Sequence, residues 1–169
     1  MTDIEQEYLT FILDGEEFGV DILRVQEIRV LSKVTSLPNK PDYIKGVINL
    51  RGVIIPIIDL RKRFGKKSLA YDEQTVTIIL RGEVNNKITV VGVIVDAVSD
   101  VYKFSQTQII SPPSFGNAID SCFLQGIANF EDKLVILLDT NSLLNQDELY
   151  CLDSNMNKFA EQTSSDKHL

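Results

Sequence analysis

Apolar positions along this chain recur mostly at every second residue. In the segment YLTFIL, Tyr8 to Leu13, they run up to Asp14-Gly15 and resume at Phe18 and Val20. An Asp-Gly pair tolerates the positive backbone angles of a tight hairpin, so the pattern predicts strand, turn, strand. The period then changes. Ile22, Val25 and Ile28 recur every third residue, with Arg24, Gln26, Glu27 and Arg29 between them, which predicts a short amphipathic helix over Ile22 to Val30.

Pro38 and Pro41 bracket a loop, after which KGVINLRGVIIPIIDLRKRFG reads as two buried strands folded back at Arg51-Gly52 and followed by a helical turn capped by Asp59. Pro56 lacks an amide, so its place in the second strand should face an edge or a bulge. Further strands are expected at Thr75 to Leu80 and Lys87 to Val95, joined through Glu83 to Asn86. Residues 105–121, with Pro112-Pro113 and Gly116, form the longest irregular connection, and Phe123 to Phe130 should pair with Lys133 to Leu138 across Glu131-Asp132. From about Asp153 the chain is polar and without period, as expected of a disordered tail over 153–169.

The chain also repeats itself. Gly46 to Phe64 and Gly126 to Leu144 align without gaps at a spacing of 80 residues: Gly46 meets Gly126, Asn49 meets Asn129 and Asp59 meets Asp139. A weaker match at a spacing of 73 sets Gly19-Val20, Val25, Glu27 and Ile28 against Gly92-Val93, Val98, Asp100 and Val101. Duplication predicts two similar small sheets. Neither half has residues for a thick core, so each should curl into a small barrel, the two sharing an apolar seam with a groove open to a partner.

Composition narrows the function. The 169 residues are 44% hydrophobic and carry a formal net charge of -7, which opposes the attraction to phosphate that drives nucleic-acid binding. The one histidine, His168, lies in the polar tail, leaving no histidine triad or histidine metal site. Cys122 and Cys151 form no C-x-x-C pair and suit a reducing compartment. No basic-then-apolar leader opens the chain and no apolar run approaches the ~20 residues of a membrane span, so a soluble cytosolic protein is expected.

Candidate chemistry is sparse. Gly65-Lys66-Lys67-Ser68 is a fragment of a phosphate-binding loop, but Leu60 stands where its first glycine belongs. Asp59 and Asp139 occupy equivalent positions; each precedes a helical turn and reads better as a cap than as half of an acid-base pair. Arg61, Lys62, Arg63, Lys66 and Lys67 read as a solvated basic face. Glu27 and Arg51 are charges in apolar neighbourhoods; they either reach to water or pair with each other, fixing the short helix on the hairpin.

The segments FGVDILRVQEIR, PDYIKGVINLRGVIIPIIDLRKRFG and VGVIVDAVSDV resemble the CheW-like family of bacterial chemotaxis coupling proteins, with the likeness running from about Tyr8 to Leu152. The resemblance implies a mainly β fold: two five-stranded SH3-like barrels packed together with short helices, over roughly 17–70 and 75–140 within a single domain at 1–152. The N-terminal strand and a C-terminal helix would pack on them. It implies a non-catalytic adaptor, without cofactor, metal or nucleic acid, joining the cytoplasmic tip of a methyl-accepting receptor to the regulatory domain of the histidine kinase CheA. Such a protein works at the membrane-associated receptor array without inserting into the membrane. Receptor contact would fall on Ile22, Val25, Glu27, Arg51, Ile54, Val76 and Val101, and kinase contact on the loop around Ile110 and Phe115. Relatives can carry a basic residue at the position of Ile110, so packing through Phe115 would have to hold that contact here. Alternatives are a like adaptor in another receptor-kinase system, such as twitching motility or gene regulation, and a small carboxylate-dependent hydrolase built on Asp59 or Asp139.

Overall fold

Four two-residue turns organise the chain, and each has both residues at positive φ: Asp14-Gly15, Arg51-Gly52, Asn85-Asn86 and Glu131-Asp132. This is the type I′ geometry whose twist matches that of the strands it joins. A computed structural model describes residues 4–67, 69–110 and 123–144. The strands are β1 (Glu5–Leu13), β2 (Glu16–Asp21), β3 (Val25–Val30), β4 (Ile44–Leu50), β5 (Val53–Asp59), β6 (Val76–Val84), β7 (Lys87–Val95), β8 (Ala97–Ser105), β9 (Ile109–Ile110), β10 (Leu124–Phe130) and β11 (Lys133–Leu138). Two short helices, α1 (Leu60–Arg63) and α2 (Thr140–Leu144), follow β5 and β11, and single 3-10 turns occupy Ile22–Arg24 and Gln106–Gln108. The expected tail and the readings on Phe115, Cys122, Cys151 and His168 lie outside the described residues.

Ile22 to Val30 is therefore not a helix. One 3-10 turn, its start held by the Asp21 carboxylate accepting from the Leu23 amide, leads into β3. Strand β3 alternates half-buried Val25, Glu27 and Arg29 with exposed Gln26, Ile28 and Val30. Its inward face carries two charges, which disguises the two-residue period as a three-residue one, while its β-branched Val25, Ile28 and Val30 favour extended backbone.

The strands form a six-stranded sheet, order β8-β1-β2-β11-β10-β9, and a five-stranded sheet, order β3-β6-β7-β5-β4. Both curl closed. In the first, the edge strands β8 and β9 are joined only by the 3-10 turn at Gln106–Gln108, so the two edges must meet. In the second, the chain leaving β3 returns to the far edge, where Thr35 and Val47 exchange two backbone hydrogen bonds of 2.9 Å.

Pairing registers bear out the internal repeat. Ladder shifts fall between Ile44 and Gly46 in β4 and between Leu124 and Gly126 in β10, a spacing of 80 in both residues. The parallel pairs Ile57↔Gly92 and Leu137↔Gly19 correspond through the spacings of 80 and 73 together. The repeated glycines have a steric cause: a Cβ on Gly46, at φ +145°, would overlap the Thr35 carbonyl, and one on Gly126 would lie 2.7 Å from Ile109 Cγ2. Both mark where a barrel closes. Pro56 sits opposite Val47 on β4, one residue before the parallel ladder to β7 begins at Ile57, so the half of β5 that contains it is laddered to β4.

The sheets do not divide near the middle of the chain: the five-stranded one is a continuous stretch, β3 to β7, inserted between β2 and β8 of the six-stranded one. Strands β6 and β7, within the range 75–140 expected for the second unit, pair with β3 to β5, and β8 crosses to pair with β1. The hairpins β1-β2 and β6-β7 thus each send their following strand into the opposite sheet. Between the sheets lies the largest core cluster, including Phe11, Phe18 and Val20 from one side and Ile58, Ile78 and Val93 from the other. Rings cross it in a row with centroid separations of 5.9, 5.8 and 5.8 Å, from Phe11 to Phe18, Phe64 and Phe123. The guanidinium of Arg63 lies 4.7 Å from both the Tyr43 and Phe123 rings. Smaller cores fill each barrel, around Ile55, Ile57 and Ile79 in one and Tyr8, Phe104 and Leu137 in the other.

Candidate functional site

The β4-β5 turn presents Arg51 to solvent at φ 52°, a backbone region that a long side chain seldom adopts. Asn49 steadies the turn by accepting the Gly52 amide at 2.8 Å. From this tip Arg51 Nη1 reaches Glu27 Oε1 at 3.2 Å, while Arg29 Nη1 lies 3.5 Å from the other Glu27 oxygen. Of the two readings open for these charges, the structure realises pairing. The Arg51 side chain is 74% exposed and that of Glu27 is 23% exposed. An exposed pair of this kind contributes roughly 0–1 kcal/mol, so it sets orientation and charge far more than stability.

Ile22, Val25 and Val76 are half-buried and pack against the seam cluster, whereas Ile54 on β5 and Val101 on β8 are exposed and belong to different sheets. The seam itself is filled by that cluster, so the expected open groove between the barrels is replaced by a rim above a closed core. A pocket of about 210 Å³ lies beside Asp96, lined among others by Ile12 and Ala97 of one sheet and Asp59 and Ile94 of the other, and a second of about 160 Å³ opens at the end of the five-stranded barrel, lined by Gln26, Leu50, Arg51, Val53, Ile55 and Val90. The parallel ladder from β5 to β7 covers only Ile57–Asp59 against Gly92–Ile94, which leaves Val53 and Ile55 beside that opening. Ile110, on β9 at the edge of the six-stranded sheet, is exposed and pairs with Ile127; Phe115 lies outside the described residues.

Two charged clusters escaped the sequence reading. Arg61, expected on a solvated face, is 6% exposed. Its Nε and Nη2 donate to the two Asp96 oxygens at 2.7 and 2.8 Å, its Nη1 donates to the Lys67 carbonyl at 2.7 Å, and Nη2 lies 3.5 Å from the Asp14 carboxylate. The other is Glu17, whose buried carboxylate meets Lys133 Nζ at 2.7 Å. A lone aspartate after the apolar run of β7 was the available signal for the first; Glu17, beside Glu16 at the start of β2, offered none.

Burial pushes the carboxyls of Asp96 and Glu17 upward. The hydrogen bonds from Arg61 and the Asp14 amide in one case, and the Lys133 contact in the other, outweigh it and hold both below the usual carboxylate range. Their folded values lie below their unfolded ones, so the stability they contribute is complete above about pH 4 and disappears as pH falls through the lowered values. Melting temperature should hold steady from neutrality to mildly acid pH and drop below about pH 4. Asp96→Asn should melt lower at neutral pH with a shallower acid limb; an acid limb as steep as in the parent would refute this assignment.

The carboxylates proposed for hydrolysis are occupied otherwise. Asp59 Oδ1 accepts the amides of Arg61 and Lys62 at 3.1 and 3.4 Å, and its Oδ2 accepts the Tyr71 hydroxyl at 2.7 Å. Burial first, and then Asp59, push the Tyr71 hydroxyl well above its ordinary value. Asp139 Oδ1 accepts the Ser142 amide at 3.3 Å. Both are helix caps. Among the described residues no three His, Cys, Asp or Glu side chains gather as a metal site, and no helix is long and apolar enough to cross a membrane.

Comparison with known proteins places this arrangement. The family model for the CheW-like domain matches residues 7–148. The chain is 45% identical over 151 residues to the chemotaxis protein CheW of Klebsiella aerogenes, covering 89% of each chain. It is 31% identical over 142 residues to that of Bacillus subtilis, covering 84% of this chain and 88% of the relative. Its fold is similar to the crystal structure of the scaffolding protein TtCheW from Thermoanaerobacter tengcongensis, with a TM-score of 0.75 and 35% identity over 87% of this chain and 92% of that one. Two closed sheets, one inserted in the other, a repeat readable in register, and a match across nearly all the described strands lead to one conclusion: the chain belongs to the CheW-like domain family of chemotaxis scaffold proteins.

Proposed function

We propose that this protein is a non-catalytic adaptor that couples the cytoplasmic tip of methyl-accepting chemoreceptors to the regulatory domain of the histidine kinase CheA, within the receptor array beneath the membrane. The receptor helix lies along the rim formed by Ile22, Val25, Glu27, Arg51, Ile54, Val76 and Val101. The kinase domain docks at Ile110, on the edge of the six-stranded sheet, with Phe115 as its second contact.

The observation that carries this reading is Arg51 itself. A long cation stands at positive φ on an exposed turn, where Asn or Gly would cost less, and it is aimed at a half-buried carboxylate. Exposed Ile28, Val53 and Ile54 flank the pair along the chain. Apolar anchors with a few charges that fix register are what helix recognition on a rigid surface requires.

An adaptor without chemistry transmits a signal only if its partners' states bind it with different free energies, typically by about 1–3 kcal/mol. Arg51→Glu sets two carboxylates against each other and should lower affinity for a receptor tip fragment by about tenfold, with loss of receptor-controlled kinase activity. Thermal stability should move little, because the pair is exposed. Unchanged receptor affinity together with full kinase control in the reconstituted complex would reject the rim as the receptor site.

A further inference from the structure

The chain crosses between its barrels at two places related by the internal repeat: from β2 to β3 through the turn at Ile22–Arg24, and from β7 to β8 through Asp96. The two crossings are built differently. At the second, the Arg61 guanidinium, carried by α1 at the end of the five-stranded sheet, grips both Asp96 oxygens. Asp96 Oδ2 also accepts the amide of Asp14 at 2.8 Å, and the Asp96 amide donates to the Ile12 carbonyl at 3.1 Å, so the β1-β2 turn of the six-stranded sheet joins the same knot. Lys66 adds a contact to the Asp14 carboxylate at 3.5 Å. At the first crossing, the spacings of 80 and 73 put Asn141 in the place of Arg61 and exposed Leu23 in the place of Asp96. That pair cannot form a bidentate ion pair, and the crossing is held by the packing of Ile22 and Val25 on the seam.

We infer that Arg61 is a positioning residue that locks the two barrels at one crossing, making them one lever between a partner seated mainly on the five-stranded barrel and a partner at the β9 edge of the six-stranded one. A planar fork with its donors spent on Asp96 and the Lys67 carbonyl fixes orientation as well as distance, which a single ammonium cannot do. Arg61 touches neither partner site, so its loss should spare each binding event and weaken the linkage between them. The inference rests on the adaptor reading for its consequence in signalling, and on geometry alone for its consequence in the free protein.

Two measurements test it on the full chain. The first compares wild type with Arg61→Gln and Arg61→Lys for affinity to a receptor tip fragment alone, to the kinase regulatory domain alone, and to each with the other saturating. Separate affinities should stay within about twofold, while the change in one affinity caused by the other partner falls by up to about tenfold in Arg61→Gln and by less in Arg61→Lys. The second places spin labels at Glu83 and Asn129, exposed positions in different sheets, after Cys122 and Cys151 are changed to serine. The distance distribution should be narrow in wild type and broader in Arg61→Gln. If that variant does not fold, Arg61→Lys and Asp96→Asn carry both readouts. Wild-type linkage in the variants, or an unbroadened distribution, overturns the lock. No linkage in wild type itself overturns the adaptor reading, and the label distances then decide the lock separately.

Discussion

Gly46→Ala should cost about 4 kcal/mol, enough to unfold much of the population of a domain whose total stability is about 5–15 kcal/mol. The added carbon would overlap the Thr35 carbonyl oxygen and fall 2.7 Å from its carbon. Those atoms belong to the bridge that closes the five-stranded barrel, so relief of the clash must break the two Thr35–Val47 hydrogen bonds. Backbone atoms are the obstacle here, and a rotamer change cannot move them away. Gly15→Ala is the control: its φ is +77°, yet nothing lies within 4 Å of the new carbon, so only the left-handed strain of about 1–2 kcal/mol remains. Gly126→Ala should fall between, since the nearest atom is a movable Ile109 side chain although the Ile110 carbonyl stands 2.9 Å away. Urea unfolding of the three variants gives the order directly. Equal midpoints for Gly46→Ala and Gly15→Ala would show that barrel closure does not depend on that approach.

The same glycine shows why so much of this fold could be read from sequence. Turns are local, and residues that accept positive φ mark them, so the hairpins at Asp14-Gly15 and Arg51-Gly52 were visible as pairs. The spacing of 80 carried the second barrel, because a ladder shift and a close backbone approach recur where Gly46 and Gly126 stand. What could not be read was set by distance along the chain. Arg61 sits in a run of cations whose average property is solvation, and its true partner lies 35 residues away at Asp96. The strand β3 was misread because its inward face carries Glu27 and Arg29, whose partners come from the far hairpin and from each other. The insertion of one sheet within the other was hidden for a like reason: apolar period tells which face of a strand is buried, not which sheet receives it. For the candidate site, the pairing of Glu27 with Arg51 was nameable, but the filled seam depends on side chains from both sheets and follows only from their packing.

That seam supplies the second large effect. Phe11 is fully buried in it and stacks on Phe18 at 5.9 Å, at the head of the row that continues through Phe64 to Phe123. Phe11→Ala should therefore cost about 3–5 kcal/mol, against within about 0.5 kcal/mol for Leu134→Ala on an exposed position of β11. The more telling expectation concerns cooperativity. The smaller cores around Ile79 and Phe104 belong to one barrel each, while the largest cluster takes Leu9, Phe11 and Val20 from one sheet and Ile58, Ile78 and Val93 from the other. Neither barrel keeps most of its burial without its neighbour, and the chain joins them twice, after β2 and after β7, because the five-stranded sheet is inserted within the six-stranded one. Phe11→Ala should lower the unfolding midpoint of both barrels equally, with amide exchange of β6 and β10 accelerated to the same extent in the weakened protein. Two separate transitions, with β4 to β7 retaining the wild-type midpoint, would mean that the barrels are independent units resting against each other, and a lever between two partners could not be built from them.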